Sequence, residues 1–267
     1  MSEHRGTSPA IVSILLLVGT GVILIGLQER PLGWAAFGLG VLSLSLPERR
    51  PAKELLLLYV LLAILGVTPI GTELSGAHMA TMGASLVAAI AVPTVLGRKW
   101  LGGVSIVRFP WRMGRRWKAR ERGYITLTIF LAYLVLPYYL RETGAYRNWG
   151  VDAAPESVVR LFVGTNAVGV WDELAFIIIT LSVLRRFLPF FWANFLQAIL
   201  FTSFLYELGF TSWGGFFIFP FAIMQGLIFR STESLAYVVT IHLSLDFVLF
   251  LAIINAHHPQ WCAVFVT

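Results

Sequence analysis

Five ionisable side chains stand in surroundings where such groups are costly: Asp172, Glu173, Glu207, His242 and Asp246. Each lies within an apolar segment long enough to be read as a membrane span, and a charged residue near a helix centre costs about 2.5–3.5 kcal/mol on the insertion scale. Together the acids cost on the order of 10 kcal/mol, which calls for mutual pairing, water or function. His242 and Asp246 are spaced i, i+4 and share one helix face. Asp172 and Glu173 are adjacent and point roughly 100° apart, so at most one aims directly at a shared centre while the other takes a flanking partner. Two neighbouring carboxyls in a low dielectric resist double ionisation, which suits one of them to general acid or base work. The competing role is structural: carboxyls bonded to Asn166, Thr165, Thr180, Ser203, Thr240 or His242 can hold helices together in lipid.

Glu207 stands apart. It precedes Gly209 and the turn at Trp213, Gly214 and Gly215, where a helix-end role suits it as well as catalysis does. His78 has no acidic neighbour in its segment, and His257 and His258 mark the end of the last one. There is no HExxH, no CxxC pair and no Gly-x-Ser-x-Gly elbow, and Cys262 is a single cysteine. Zincin-type and nucleophilic-serine hydrolysis are therefore not expected, and no metal or cofactor is expected. Carboxylates with one histidine could nonetheless hold a divalent ion.

The elements that must position these groups follow from composition. Of 267 residues, 57% are hydrophobic and only 13% charged, with a mean hydropathy of +0.78, where soluble domains carry about 25% charged residues. So large an apolar excess must face lipid, which excludes a soluble enzyme. The fold class expected is all-α: a polytopic transmembrane helical bundle of eight or nine spans. Candidate spans are 11–27, 33–46, 55–70, 77–97, 124–140, 158–184, 189–210, 214–229 and 236–254, the second and eighth being short. With the N-terminus cytoplasmic, nine spans leave sixteen of the twenty basic residues inside, among them Arg5, Arg49, Arg50, Lys53, Arg185, Arg186 and Arg230. Only Arg30, Arg141, Arg147 and Arg160 fall outside.

Residues 98–122 hold nine of those basic side chains, interleaved with Trp100, Phe109, Trp111 and Trp117. Indole rings anchor at headgroups and cations meet anionic lipid, so this segment is expected along the inner membrane surface. Flanking spans explain both residue types, and no nucleic-acid partner is expected. The chain divides accordingly into N-terminal transmembrane helices (1–97), a basic aromatic interfacial segment (98–123) and a transmembrane core (124–267) that carries nearly all the intramembrane polar chemistry.

That core resembles the CPBP intramembrane proteases, also called the CAAX protease and bacteriocin-processing or Abi family. The family pattern is Glu-Glu-x-x-x-Arg, then Phe-x-x-x-His, then His-x-x-x-Asn or Asp, each on its own helix. The likeness runs from about Val158 to Ile254. Its third motif is matched best: the basic turn from Phe229 through Arg230, Ser234 and Leu235, followed by His242 and Asp246. The first motif stands as Asp172 and Glu173 with Ile177 in place of the arginine. The middle motif falls between Ala198 and Glu207, yet aligning Tyr206 with its phenylalanine puts Phe210 at the histidine, and that span has no histidine.

The resemblance implies a CPBP-like core in the C-terminal half and attack of an activated water on a peptide carbonyl without an acyl-enzyme. In that scheme Glu173, or Asp172 by strict alignment, is the base. His242 and Asp246 orient the water or stabilise the oxyanion, and Glu207 stands in for the missing histidine. Its partners would be the lipid bilayer and a membrane-associated peptide or protein, prenylated or bacteriocin-like, with the oligomeric state open. The expected setting is a bacterial inner membrane. The alternative is a non-catalytic relative, a scaffold or bacteriocin-immunity protein in which the polar cluster packs helices. A proton-coupled carrier is a third reading, but paired interrupted helices in two matching halves are missing.

Overall fold

The computed structural model describes residues 7–45, 54–100, 108–112, 114, 116–261 and 264–265. Arg5, Arg49, Arg50, Lys53, Arg115 and Cys262 lie outside them. The described residues are mostly helical, without strands. Helix α1 (Thr7–Thr20) continues as a π-helical stretch, Gly21–Gly26. It is followed by α2 (Arg30–Leu44), α3 (Leu55–Val67), α4 (Gly76–Trp100), α5 (Ala119–Thr143), α6 (Pro155–Asp172), α7 (Leu181–Leu184), α8 (Phe190–Glu207), α9 (Gly215–Thr232) and α10 (Leu235–His257). A second π-helical stretch, Glu173–Thr180, joins α6 to α7 into one long rod. Helix starts and stops follow ordinary signals: Pro155 opens α6, Ser234 caps α10 through its hydroxyl, and Gly144 ends α5 at φ 72°.

Five of these helical rods are long and apolar enough to cross a membrane: Gly76–Trp100, Ala119–Thr143, Pro155–Leu184, Ser212–Thr232 and Leu235–His257. The stretch Ala10–Gly26 and α3 are shorter apolar helices. The helices coincide with the nine apolar segments of the sequence, of which these five reach spanning length and composition among the described residues. Helix α8 falls short because Asn194, Gln197 and Glu207 dilute its 18 residues. Asn194 and Gln197 are buried and turn their amides to α9: Asn194 Nδ2 donates to Ile223 O (3.0 Å) and Gln197 Nε2 to Ala222 O (3.1 Å). Among the N-terminal helices the glue is a hydroxyl network, Ser13 Oγ to Ser43 Oγ at 2.6 Å and Tyr59 Oη donating to Ser13 O at 2.8 Å. Interhelical hydrogen bonds of this kind serve where lipid gives no hydrophobic drive.

The bundle has two chemically distinct ends. At the first, the chain around 108–118 folds against the α9–α10 turn: Leu235 N donates to Pro110 O (2.9 Å), Arg112 pairs with Glu233 (2.7 Å), and Trp117 packs edge-on to Tyr237. Arg186 joins this end to Glu54 at the start of α3 (2.8 Å). At the other, Thr72 bonds to Asn148 O, Asn148 Nδ2 donates to Gly209 O (3.0 Å), and Arg141 donates to Asn255 (2.7 Å). Helices α5 and α10 run parallel between the two, Tyr237 meeting Glu121 O at the basic end. Arg112 and Arg186 thus lie at the first end and Arg141 at the other. Helix α4 runs through Trp100 and α5 begins at Ala119, so the 98–123 segment is helical at both margins.

Candidate active site

Asp172 closes the α-helical part of α6 and Glu173 opens its π-helical stretch, where Thr180 Oγ1 bonds back to Ala175 O at 2.8 Å. Such widened turns are frequent at functional sites. Both carboxylates are fully buried, and both reach the same imidazole from opposite sides. Glu173 Oε1 meets His242 Nδ1 at 2.8 Å. Asp172 Oδ2 lies 3.9 Å from His242 Nε2, and Asp246 Oδ1 lies 3.8 Å from the same nitrogen. The i, i+4 spacing on α10 therefore brings Asp246 beside His242, as the sequence suggested. The adjacent acids of α6 are not divided between this centre and a separate partner; they flank one ring.

A carboxylate on Nδ1 sets the tautomer of the neutral ring: Nδ1–H donates to Glu173 and Nε2 keeps its lone pair. The ring is held flat by aromatic neighbours, Phe201 of α8 at 5.9 Å between centroids and Phe221 of α9 edge-on at 5.2 Å. Gln225 of α9 supports Glu173 from behind. Its fully buried amide donates to Glu173 Oε1 (2.7 Å) and to Val238 O (3.0 Å). Sequence reasoning passed over Gln225 because a single amide in an apolar helix has no motif; its signal was only that a polar group there needs partners. Gln225→Leu removes a donor to a buried carboxylate and is expected to lower stability by about 1–3 kcal/mol, read from thermal or denaturant unfolding of the purified protein.

A cavity of about 590 Å³ lies against His242. Asp172, His242 and Asp246 line it, together with Tyr124 and Thr128 of α5; Glu173 does not. Its remaining walls are mostly apolar, with Met79, Met82 and Leu86 from α4 and Leu131 and Val135 from α5. Four buried carboxylate oxygens around the ring have no hydrogen-bond partner in the protein: Asp172 Oδ1 and Oδ2, Glu173 Oε2 and Asp246 Oδ2. The gaps about Nε2 are too long for direct hydrogen bonds and suit a bridging water. Among the described residues, no group of three or more His, Cys, Asp or Glu is arranged to hold a metal ion.

Two other sequence features fall elsewhere. Glu207 is outside the cavity lining; Arg30, at the start of α2, is the cation acting on it. Helix α8 gives the cavity Leu205, and its C-cap Leu208, so the contribution there is apolar. Ile177, at the arginine position of the first motif, is fully buried. His78 lines the cavity at its far end, 3.4 Å from Gly71 O.

Fold and site together define a helical membrane protein with a histidine and three carboxylates buried beside an apolar cavity. Residues 154–248 match the family model of the type II CAAX prenyl endopeptidases, Rce1-like. The match spans Asp172, Glu173, Glu207, His242 and Asp246, so the resemblance seen in the motifs holds over this stretch, and it supports a CAAX-protease-like function in general. No curated protein and no solved structure matches the chain.

Proposed function

We propose that this chain is an intramembrane endopeptidase that hydrolyses a peptide bond of a membrane-associated substrate with a water activated between Asp172, His242 and Asp246. The observation that carries this reading is the convergence of Asp172 Oδ2 and Asp246 Oδ1 on His242 Nε2 at the cavity floor, while Nδ1 is tied to Glu173. Asp172, with both oxygens unpartnered, takes the proton as the water oxygen attacks the carbonyl carbon. His242 Nε2 accepts a hydrogen bond from the water and orients its oxygen toward the carbonyl carbon. Asp172 then returns its proton to the amide nitrogen as the carbon–nitrogen bond breaks. Water attacks directly, so no acyl-enzyme forms. Glu173 and Gln225 position the ring, and Glu207 takes a helix-end role near Arg30.

In this reading all nine helical segments cross or enter the bilayer, with the basic end cytoplasmic, as the distribution of lysine and arginine favours. The setting is a bacterial inner membrane. The competing reading, a non-catalytic scaffold or immunity protein, draws on Ile177 and the apolar wall of α8. It requires the carboxylates to be satisfied by helix packing, and four of their oxygens are not.

The test compares membrane-protein N- and C-termini in cells carrying the native protein, Asp172→Asn or Glu173→Gln at equal abundance, or a deletion. Termini lost in both the Asp172→Asn and the deleted cells, and regenerated by the purified native protein, support the protease. Unchanged termini, with the substituted proteins still rescuing the deletion phenotype, support the scaffold.

A further inference from the structure

At the end of the bundle that carries Arg112 and Arg186, three helix ends bring two cations to one ring. Arg185 is the C-cap of α7, Phe190 opens α8, and Arg230 lies in the last turn of α9. Both guanidiniums stand over the Phe190 ring, Arg230 at 4.4 Å and Arg185 at 5.6 Å from its centroid, within the distance at which a ring face attracts a cation. Those two distances limit their separation to about 10 Å, and both side chains are exposed. Among the described residues neither forms an ion pair. The carboxylates of Glu54 and Glu233 are engaged by Arg186 and Arg112 instead. A ring quadrupole attracts both cations but carries no net charge, so two like charges are held close without a counter-charge among the described residues.

Beside them the surface turns aromatic. Phe191 and Trp192 are 67% and 54% exposed and pack on one another at 5.3 Å between centroids. Phe195 follows one turn on, stacked on Phe191, and meets Phe219 of α9 edge-on at 5.4 Å. Phe219 precedes Arg230 by eleven residues of the same helix, about 16 Å at 1.5 Å per residue. The strip therefore leads from the guanidiniums well into the apolar depth of a membrane. Neither the arginines nor these rings line the cavity beside His242. Paired guanidiniums above an apolar strip match a phosphodiester above an acyl chain: guanidinium is the side chain best suited to phosphate, and basic clusters between membrane helices take anionic headgroups. A free phosphate would use the arginines and leave the strip unused.

We propose that Arg185 and Arg230, with Phe191, Trp192, Phe195 and Phe219, form a seat for one anionic phospholipid, its phosphate at the guanidiniums and an acyl chain along the rings. The seat requires these helices to stand in a bilayer with this end at the headgroups. It does not depend on whether the protein cleaves a peptide.

Lipid titration of the full-length protein in neutral detergent tests it. Phosphatidylglycerol, phosphatidylcholine and glycerol 3-phosphate are added in turn, bound lipid is counted by native mass spectrometry, and the unfolding midpoint is followed. One phosphatidylglycerol is expected to be retained in preference to phosphatidylcholine and to raise the midpoint, as a ligand of the folded state does; glycerol 3-phosphate at the same concentration does neither. Arg185→Gln with Arg230→Gln is expected to weaken phosphatidylglycerol binding about 30-fold, the loss of two surface cations from an anionic lipid. Each change alone gives about 5-fold on the same scale and replaces the pair if the double variant unfolds before lipid is added. Arg116→Gln with Arg120→Gln removes the same charge from two other exposed positions at this end and leaves the binding nearly unchanged. Equal losses in the two paired variants, or equal retention of the two lipids, overturn the seat. An equal midpoint rise with glycerol 3-phosphate overturns the lipid as its occupant.

Discussion

Asp172→Asn lowers cleavage by about 10²–10⁴-fold, the usual contribution of a positioned general base, while the protein stays inserted and folded. The substitution is nearly isosteric, and neither oxygen of Asp172 accepts a hydrogen bond from the protein, so none is lost. It also removes an ionisable group from a fully buried position, which by itself favours the folded state. Activity and stability therefore separate: turnover of substrates identified by the terminus comparison collapses, while the unfolding midpoint is unchanged or raised. Glu173→Gln behaves differently. Glu173 Oε1 receives both Gln225 Nε2 and His242 Nδ1, and the glutamine carbonyl can still accept, so cleavage falls less than in Asp172→Asn. A fully active Asp172→Asn beside an inactive Glu173→Gln would transfer the base to Glu173.

The helices were legible because their signal is one of bulk chemistry: apolar runs between turns and charges. The amides of α8 were not, because Asn194 and Gln197 face α9 and composition cannot tell which way an amide faces. At the site, the i, i+4 rule placed Asp246 beside His242 because both lie on one regular helix. The rule failed to separate Asp172 from Glu173 because the chain widens there into a π-helical stretch and because the ring of His242 is broad enough to take one carboxylate at each nitrogen. Gln225 and Gly169 were invisible for a related reason. Each matters through a partner on another helix, and a sequence records no such pairing.

Gly169→Ala is expected to reduce cleavage by about 10²-fold, the scale of a misplacement near 1 Å, while every group that does chemistry is kept. Gly169 sits one turn before Asp172 and Glu173 on α6 and lines the cavity. A Cβ there would overlap Asp246 Oδ2 and stand 3.0 Å from Asp246 Cγ and 3.2 Å from His242 Cδ2. The carboxylate must rotate away or α10 must shift, and either change opens the Asp246–His242 spacing that frames the proposed water. Overpacking of this kind costs about 1–3 kcal/mol, so the variant also unfolds more readily. Combining Gly169→Ala with Asp246→Ala deletes the atoms the new methyl strikes. The double variant should regain most of the lost stability, a non-additivity expected of residues in contact, yet recover no cleavage, because Asp246 is gone. Restored cleavage would show that Asp246 is dispensable and that Gly169 acts only through helix packing. An active Gly169→Ala single variant would show that the close approach of α6 to α10 does not position the site.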